Sequence, residues 1–390
     1  MSDRRLIRSP TPSQIALIAV VMLAVAIGLW LGRPRPVARQ ASQTGAEPGT
    51  TAESGAGSGP LGSAGAAAGT PLPEEHVPTP PCWEGLFALD DRPTLLGLKD
   101  ALLAAMAQQD PLLIDYLQER LAEVIGGDST SALQVIGWAA DAGPPLSGHL
   151  FGAVKLASAV QNKAVSDKLL SLGSDVRQST ELRRGALLAL ETQQTLSPDA
   201  RGQLHSVALD PRSEEVAWMA TRTIGKVMTE EYARTGQAGA YVKDLLDIGQ
   251  RGGDGPVRSL ALEMPSYGNI PMDSAQLGSI AQLLAKDPDR SVREMAAFRL
   301  GLSKDPGLAL SHLGGAFSAE KDLCVRWAIF RFAVRAAGDK ALPLLDKLSK
   351  LEPRLRPDYE DFVAIYARGT VDFARVWLEK PERIQCLDDE

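Results

Sequence analysis

Four histidines and three cysteines are the side chains in this chain best suited to metal binding, proton transfer or redox chemistry, and none is spaced for it. His76, His149, His205 and His312 have no second histidine three or four residues away, so no helix can offer a metal two imidazoles, and there is no HExxH pair. Cys82, Cys324 and Cys386 form no CxxC pair. The carboxylates Glu230-Glu231 and Asp388-Asp389-Glu390 could do acid–base work only in a shielded cleft, and their surroundings read as solvated ends. Gly252-Gly253-Asp254-Gly255 is glycine-rich but has no following lysine and reads as a turn. No phosphate-binding GxxxxGK[ST], dinucleotide GxGxxG after a strand, or GxSxG elbow occurs. The expectation is a chain with no catalytic constellation, no cofactor and no metal. Cys324, in an apolar helix, reads as a free buried thiol. Cys82 and Cys386 bracket the folded part; in an oxidising compartment they could pair, although an extended fold would hold them apart.

The elements that would position a site are helices. Asp110-Pro111, Gly126-Gly127, Asp210-Pro211, Gly252-Gly253, Asp287-Pro288, Asp305-Pro306 and Pro357 punctuate apolar stretches of helical period, with no useful β-alternation. The pattern predicts helices from 93–108 through 370–379, among them 213–229 and 255–264. The most telling stretch is 287–301, DPDRSVREMAAFRLG. Val292, Met295, Ala296, Arg299 and Leu300 share one helical face, and Ala297 and Gly301 are small enough for a second helix to pack close. Echoes begin at Leu182, Val216, Val257 and Val325, so the anchors are 34, 41, 35 and 33 residues apart. A loose period of this size, with two helices per unit, signals an α-solenoid.

The repeat resembles the HEAT-repeat family, clearly over residues 170–340 and in outline from about 93 to 378. The resemblance implies an all-α solenoid of antiparallel helical hairpins over residues 82–390. It also implies a ladder between neighbouring units in which an acidic turn residue pairs with an arginine early in the second helix, so Arg258, Arg293 and Arg326 read as inter-repeat ties, Arg293 to the turn at Asp287 or to a neighbouring repeat. Asp287 with Arg293 and Glu320 with Arg326 fit that spacing; Val216-Ala217 lacks the arginine. In such solenoids the second helices line the concave side, which makes Arg184, Arg222, Glu263, Arg299, Arg331 and Arg335 candidate partner contacts. Their arginine content suits an acidic or mixed-charge protein segment; the alternative, of equal standing, is that these arginines only solubilise the face or bond to neighbouring helices.

Ahead of the repeats, three segments differ in kind. Residues 1–13 form a short basic tail with Arg4, Arg5 and Arg8. Ile15 to Leu31 is uncharged and apolar; as a helix these residues span about 26 Å, enough for a bacterial inner-membrane core. The run exceeds a signal-peptide h-region and is followed by Arg33-Pro34-Arg35-Pro36 rather than a cleavage site, so residues 14–32 read as a retained single-pass transmembrane helix. Residues 33–81 are dominated by Gly, Ala, Ser, Thr and Pro and read as a disordered linker. Three arginines lie on each side of the span, but a long C-terminal domain crosses largely regardless of charge, which puts the folded part outside, in the periplasm or its equivalent.

Charge narrows the partners. Net charge is −7; residues 1–39 carry six Arg against one Asp and residues 40–81 four Glu and no Lys or Arg, which leaves −8 on residues 82–390. An acidic domain lacks the basic footprint that nucleic acid needs, and aromatics are only 5%. The reading is a membrane-tethered helical-repeat scaffold, not an enzyme, that binds a protein partner in the cell envelope. Two alternatives stay open: a lyase-like or other enzyme on a HEAT-like scaffold, since some HEAT-like proteins are bilin lyases, and a structural spacer in the envelope.

Overall fold

A computed structural model describes residues 91–384 and 386. The expected basic tail (1–13), membrane span (14–32), linker (33–81), Cys82 and the Asp388-Asp389-Glu390 terminus lie outside the described residues. Among those described, no helix is long and apolar enough to cross a membrane.

The described chain is all-helical, and its helices come in hairpins. These are α1 (Leu95–Gln108) with α2 (Pro111–Ile125), α3 (Ser129–Asp141) with α4 (Leu146–Leu156), α5 (Lys163–Ser174) with α6 (Thr180–Ala189), and α7 (Pro198–Ala208) with α8 (Glu214–Thr235). They continue with α9 (Gly239–Arg251) and α10 (Gly255–Tyr267), α11 (Ser274–Lys286) and α12 (Arg290–Leu300), α13 (Pro306–Phe317) and α14 (Leu323–Ala337), and α15 (Leu342–Leu351) and α16 (Arg356–Ala367). A short α17 (Phe373–Glu379) follows. Within each hairpin the two helices pack on each other. The second helices α2, α4, α6, α8, α10, α12 and α14 stack in one row, and the first helices α3, α5, α7, α9, α11, α13 and α15 in another. The result is the two-layered, solenoid-like stack that the period implies.

Local chemistry sets the helix starts. Asp110 and Asp305 each precede a proline at the first helical position and accept the backbone N–H of Leu113 and Leu308, so the cap satisfies an amide that the first turn leaves unpaired. The anchor residues fill the interface between layers: Val216, Val257, Val292 and Val325 are each at most 1% exposed. Small residues let the second helices approach. A Cβ on Gly301 would fall 2.8 Å from the Phe332 Cβ of the next second helix, and one on Gly225 would fall 2.5 Å from Met264 Cε.

Two expected boundaries move. α8 runs to Thr235 rather than 229 and is the 22-residue helix that makes one repeat 41 residues long. Its extra turns carry Glu231, which accepts bonds from Tyr241 Oη (2.6 Å) and Thr195 Oγ1 (2.7 Å) and so ties the first turn of α9 to the loop before α7 rather than facing solvent alone. α10 passes through Pro265 to Tyr267. Burial of Leu262, Met264 and Pro265 holds the last turn despite the proline.

Candidate segment-binding face

Arginines sort this part of the molecule into two groups. The first forms a ladder at the turns. Arg258 donates through Nε and Nη2 to Asp287 (3.0 and 2.9 Å), Arg293 through Nε to Glu320 (2.8 Å), and Arg326 through Nη1 to Glu352 (2.8 Å). Each arginine also donates to a carbonyl of its own turn: Gly252 (3.1 Å), Asp287 (2.9 Å) and Glu320 (2.8 Å). The expected inter-repeat ties of Arg258, Arg293 and Arg326 are present, but the carboxylate partners Asp287 for Arg293 and Glu320 for Arg326 are corrected. The carboxylate bonds run one unit forward, and within a unit the arginine meets only backbone carbonyl. The turn carboxylates are turned to cap their own following amides: Asp287 accepts from Asp289 N–H, and Glu320 from Lys321 and Asp322 N–H. Their outer oxygens are left facing the preceding unit.

One rung is blank on both sides. Where the arginine is replaced by Ala217, the matching turn position is Gly252, where a Cβ would sit 2.8 Å from the Ile248 carbonyl. Losing both partners together avoids the cost of a stranded charge. At the first clear repeat the ladder position is Arg183, 5% exposed, bonded to the Gly173 carbonyl at 3.0 Å. The last rung is strengthened by Arg354, which binds Glu352 bidentately at 2.7 and 2.8 Å. Bonds from Arg354 first, and from Arg326, hold the Glu352 carboxyl down at about 2.

The second group lies on the second helices, where the sequence placed the partner contacts. Arg184 pairs with Glu215 (2.6 Å). Arg222 stacks over Trp218 and lies 2.8 Å from Glu191, a carboxylate 4% exposed that Lys155 also contacts at 2.9 Å. Glu263 accepts from Tyr267 Oη (2.6 Å), and Lys226 lies over the Tyr267 ring. Arg299 departs from its expected outward position: it is 4% exposed, and burial pulls its guanidinium down to about 10. It cannot meet a partner as the helices stand. Its place is explained by position 299 falling seven residues after buried Val292, two turns along the same stripe.

Arg331 and Arg335 meet the chain's own C-terminal segment. Arg331 stacks on Phe332 (4.2 Å) and Trp377 (5.1 Å), and Arg335 lies over Phe298 (5.5 Å) and Phe373 (5.2 Å). Burial lowers the pKa of both, with Glu294 opposing the effect at Arg331. The segment continues with Trp377 beside Trp327 at 5.9 Å. Next comes Lys380, ion-paired with Asp358, both at most 2% exposed at the side chain; its Nζ lies 4.7 Å from the Trp327 ring centre. Arg383 then binds Asp361 through two bonds of 2.7 and 3.0 Å, and the Cys386 carbonyl accepts from Arg290 of α12. A cavity of about 350 Å³ remains between segment and face, lined by Glu294, Trp327, Arg331, Trp377, Lys380 and Arg383 among others.

The segment ends in a disulfide. Cys386 is bonded to Cys324 of α14, with Cα atoms 5.6 Å apart. The expected free thiol at Cys324 is overturned, and the pairing of Cys386 with Cys82 that the sequence left open is not made, since Cys386 is bonded to Cys324. The fold-back after α16 brings together residues that are 62 apart in sequence, which no spacing rule foretells. Sequence reasoning also missed Glu191, Asp358, Asp361, Trp377 and Lys380. A lysine just before a proline near an end carries no periodic signal, and only the buried Asp358 gives it a role.

His76 lies outside the described residues, and His149 and His205 bond across helices. His149 Nδ1 lies 3.0 Å from Gln118 Oε1 and His205 Nε2 2.8 Å from Asp247. Among the described residues no group of three or more His, Cys, Asp or Glu could hold a metal ion. No family model and no curated protein matches this chain.

Proposed function

We propose that this protein is a helical-repeat scaffold of HEAT-like type that binds a segment of another protein on its second-helix face, tethered to a membrane through residues 14–32. One observation carries the reading. The face already holds a peptide segment, residues 373–383, by ring stacking on Trp327, Arg331 and Arg335 and by ion pairs to Asp358 and Asp361. A surface that holds its own chain this way has the chemistry for recognising a mixed-charge, aromatic segment. Along α8 and α10 the same row continues with Trp218, Arg222, Lys226, Glu263 and Tyr267, where Tyr267 is 57% exposed. That stretch is the proposed partner site. The Cys324–Cys386 disulfide supports an oxidising compartment, in line with a folded domain on the outer side of the inner membrane.

The test is copurification after crosslinking with the full-length chain. Lys226→Glu together with Tyr267→Ala, both at exposed positions, is expected to abolish recovery of a discrete partner while leaving the melting temperature unchanged. Undiminished recovery contradicts the site, and no distinct partner for the unsubstituted chain contradicts the function.

A further inference from the structure

Resting on the reading of the second-helix face as segment-binding, we infer that residues 373–384, latched through the Cys324–Cys386 disulfide, are a releasable strap over a second binding groove made by α12, α14 and α16. Reduction of the latch would open this groove to a partner segment that carries aromatic and basic side chains.

Three features distinguish a strap from an ordinary terminal helix. Its apolar grip is thin: in α17 Val376 is buried, whereas Leu378 is 85% exposed and Trp377 36%, and the buried charge that anchors it is Lys380 on Asp358. Its fit is incomplete, since a partly open cavity of about 350 Å³ remains beside its contacts with the face, unlike the close packing between the helices beneath. Its distal end, residues 381–384, has no regular structure and is held by the Arg383–Asp361 pair, the Arg290 bond and the disulfide. The covalent bond is thus the element whose loss frees the end.

What the strap covers defines the ligand. Lifting it uncovers Trp327 and Phe362, two rings that Lys380 spans, with the carboxylates Asp358 and Asp361 that take Lys380 and Arg383. A replacement must supply an aromatic ring for Trp327 and Arg331 and cations for the two aspartates, because an empty groove would leave Asp358 as a buried charge without a partner.

The opening step is thiol–disulfide exchange with a dithiol reductant. One reductant thiolate attacks one of the two sulfurs, and the S–S bond breaks with the other cysteine leaving as a thiolate that takes up a proton. The reductant's second thiol then resolves the mixed disulfide. Two electrons and two protons pass to Cys324 and Cys386, and the reductant ends as a disulfide.

The experiment uses the full-length chain and, as probe, a fluorescent synthetic peptide of residues 371–386 with serine in place of the cysteine. Hydrogen exchange at 373–384 is measured with dithiothreitol and without it, and independently in Cys386→Ser and Cys324→Ser. Loss of the latch is expected to speed exchange in 373–384 on the order of 100-fold, the scale set by a cross-link that closes a loop of tens of residues, without change in 216–228 of α8. The probe is expected to bind the reduced and Cys→Ser forms and not the oxidised form, and the same peptide with Glu for Lys380 is expected not to bind. Unchanged exchange after reduction, or a released strap with no probe binding, overturns the inference. Either result leaves the partner site on α8 and α10 standing, because crosslinking at Lys226 and Tyr267 reads that site alone.

Discussion

Arg293 and Arg299 stand six residues apart on α12 and live in opposite surroundings. Arg293 is bonded to Glu320 at 2.8 Å and to the Asp287 carbonyl at 2.9 Å, so its charge is met on both sides. Arg299 is more deeply buried at 4% exposure, has no ion pair among the described residues, and its Nε lacks a bonding partner. Residue type alone therefore assigns no role to an arginine on this scaffold. Position in the repeat does: the residue after the anchor valine reaches the next unit's acidic turn, and the residue seven after it lies in the stripe that the stacked helices cover.

The largest effect should come where the contrast between met and unmet charge is sharpest. Lys380→Met strands Asp358, whose side chain is 0% exposed, and should cost about 3–5 kcal/mol in chemical denaturation. Adding Asp358→Leu should recover most of the loss. If the double variant is no better than the single, the pair is not the source of the penalty.

Next in size is the same substitution made twice on one helix. Arg293→Met should lose about 1.5–3 kcal/mol, because Glu320 is left buried without its charge-assisted bonds. Arg299→Met should gain about 1 kcal/mol, because a desolvated, unpaired guanidinium is exchanged for a hydrophobe of similar length. Equal signs in the two melting curves would remove the comparison.

The smallest effect sharpens the ladder's end. Glu352 titrates at about 2 in the folded chain against an ordinary 4.5, so its bonds to Arg354 and Arg326 contribute stability above pH 4.5 that is lost as pH falls from there towards 2. Glu352→Gln should be less stable at neutral pH and show a shallower decline across that window. A decline as steep as that of the unsubstituted chain would place the acid sensitivity elsewhere.

Much of the architecture was legible in the sequence because helix starts and layer contacts rest on local signals. Asp110-Pro111 and Asp305-Pro306 cap helices where they stand, and the recurring valines mark the buried row. The ladder was legible in its residues but not in its pairing, since which unit's carboxylate an arginine reaches depends on how units stack. The C-terminal strap was illegible: Lys380, Trp377 and Cys386 gain meaning only when the chain turns back on α14 and α16. The blank rung shows the same limit, because Ala217 reads as a missing arginine until Gly252 is found opposite in the repeat.

The account rests most on the second helices as the binding face. A photoreactive amino acid placed at Tyr267 on α10, and separately at Gln250 on the first helix α9, gives the most direct test in the full-length chain. One discrete adduct is expected from position 267, lost on Trp218→Ala, and none from position 250. An adduct from 250 with none from 267 would contradict it.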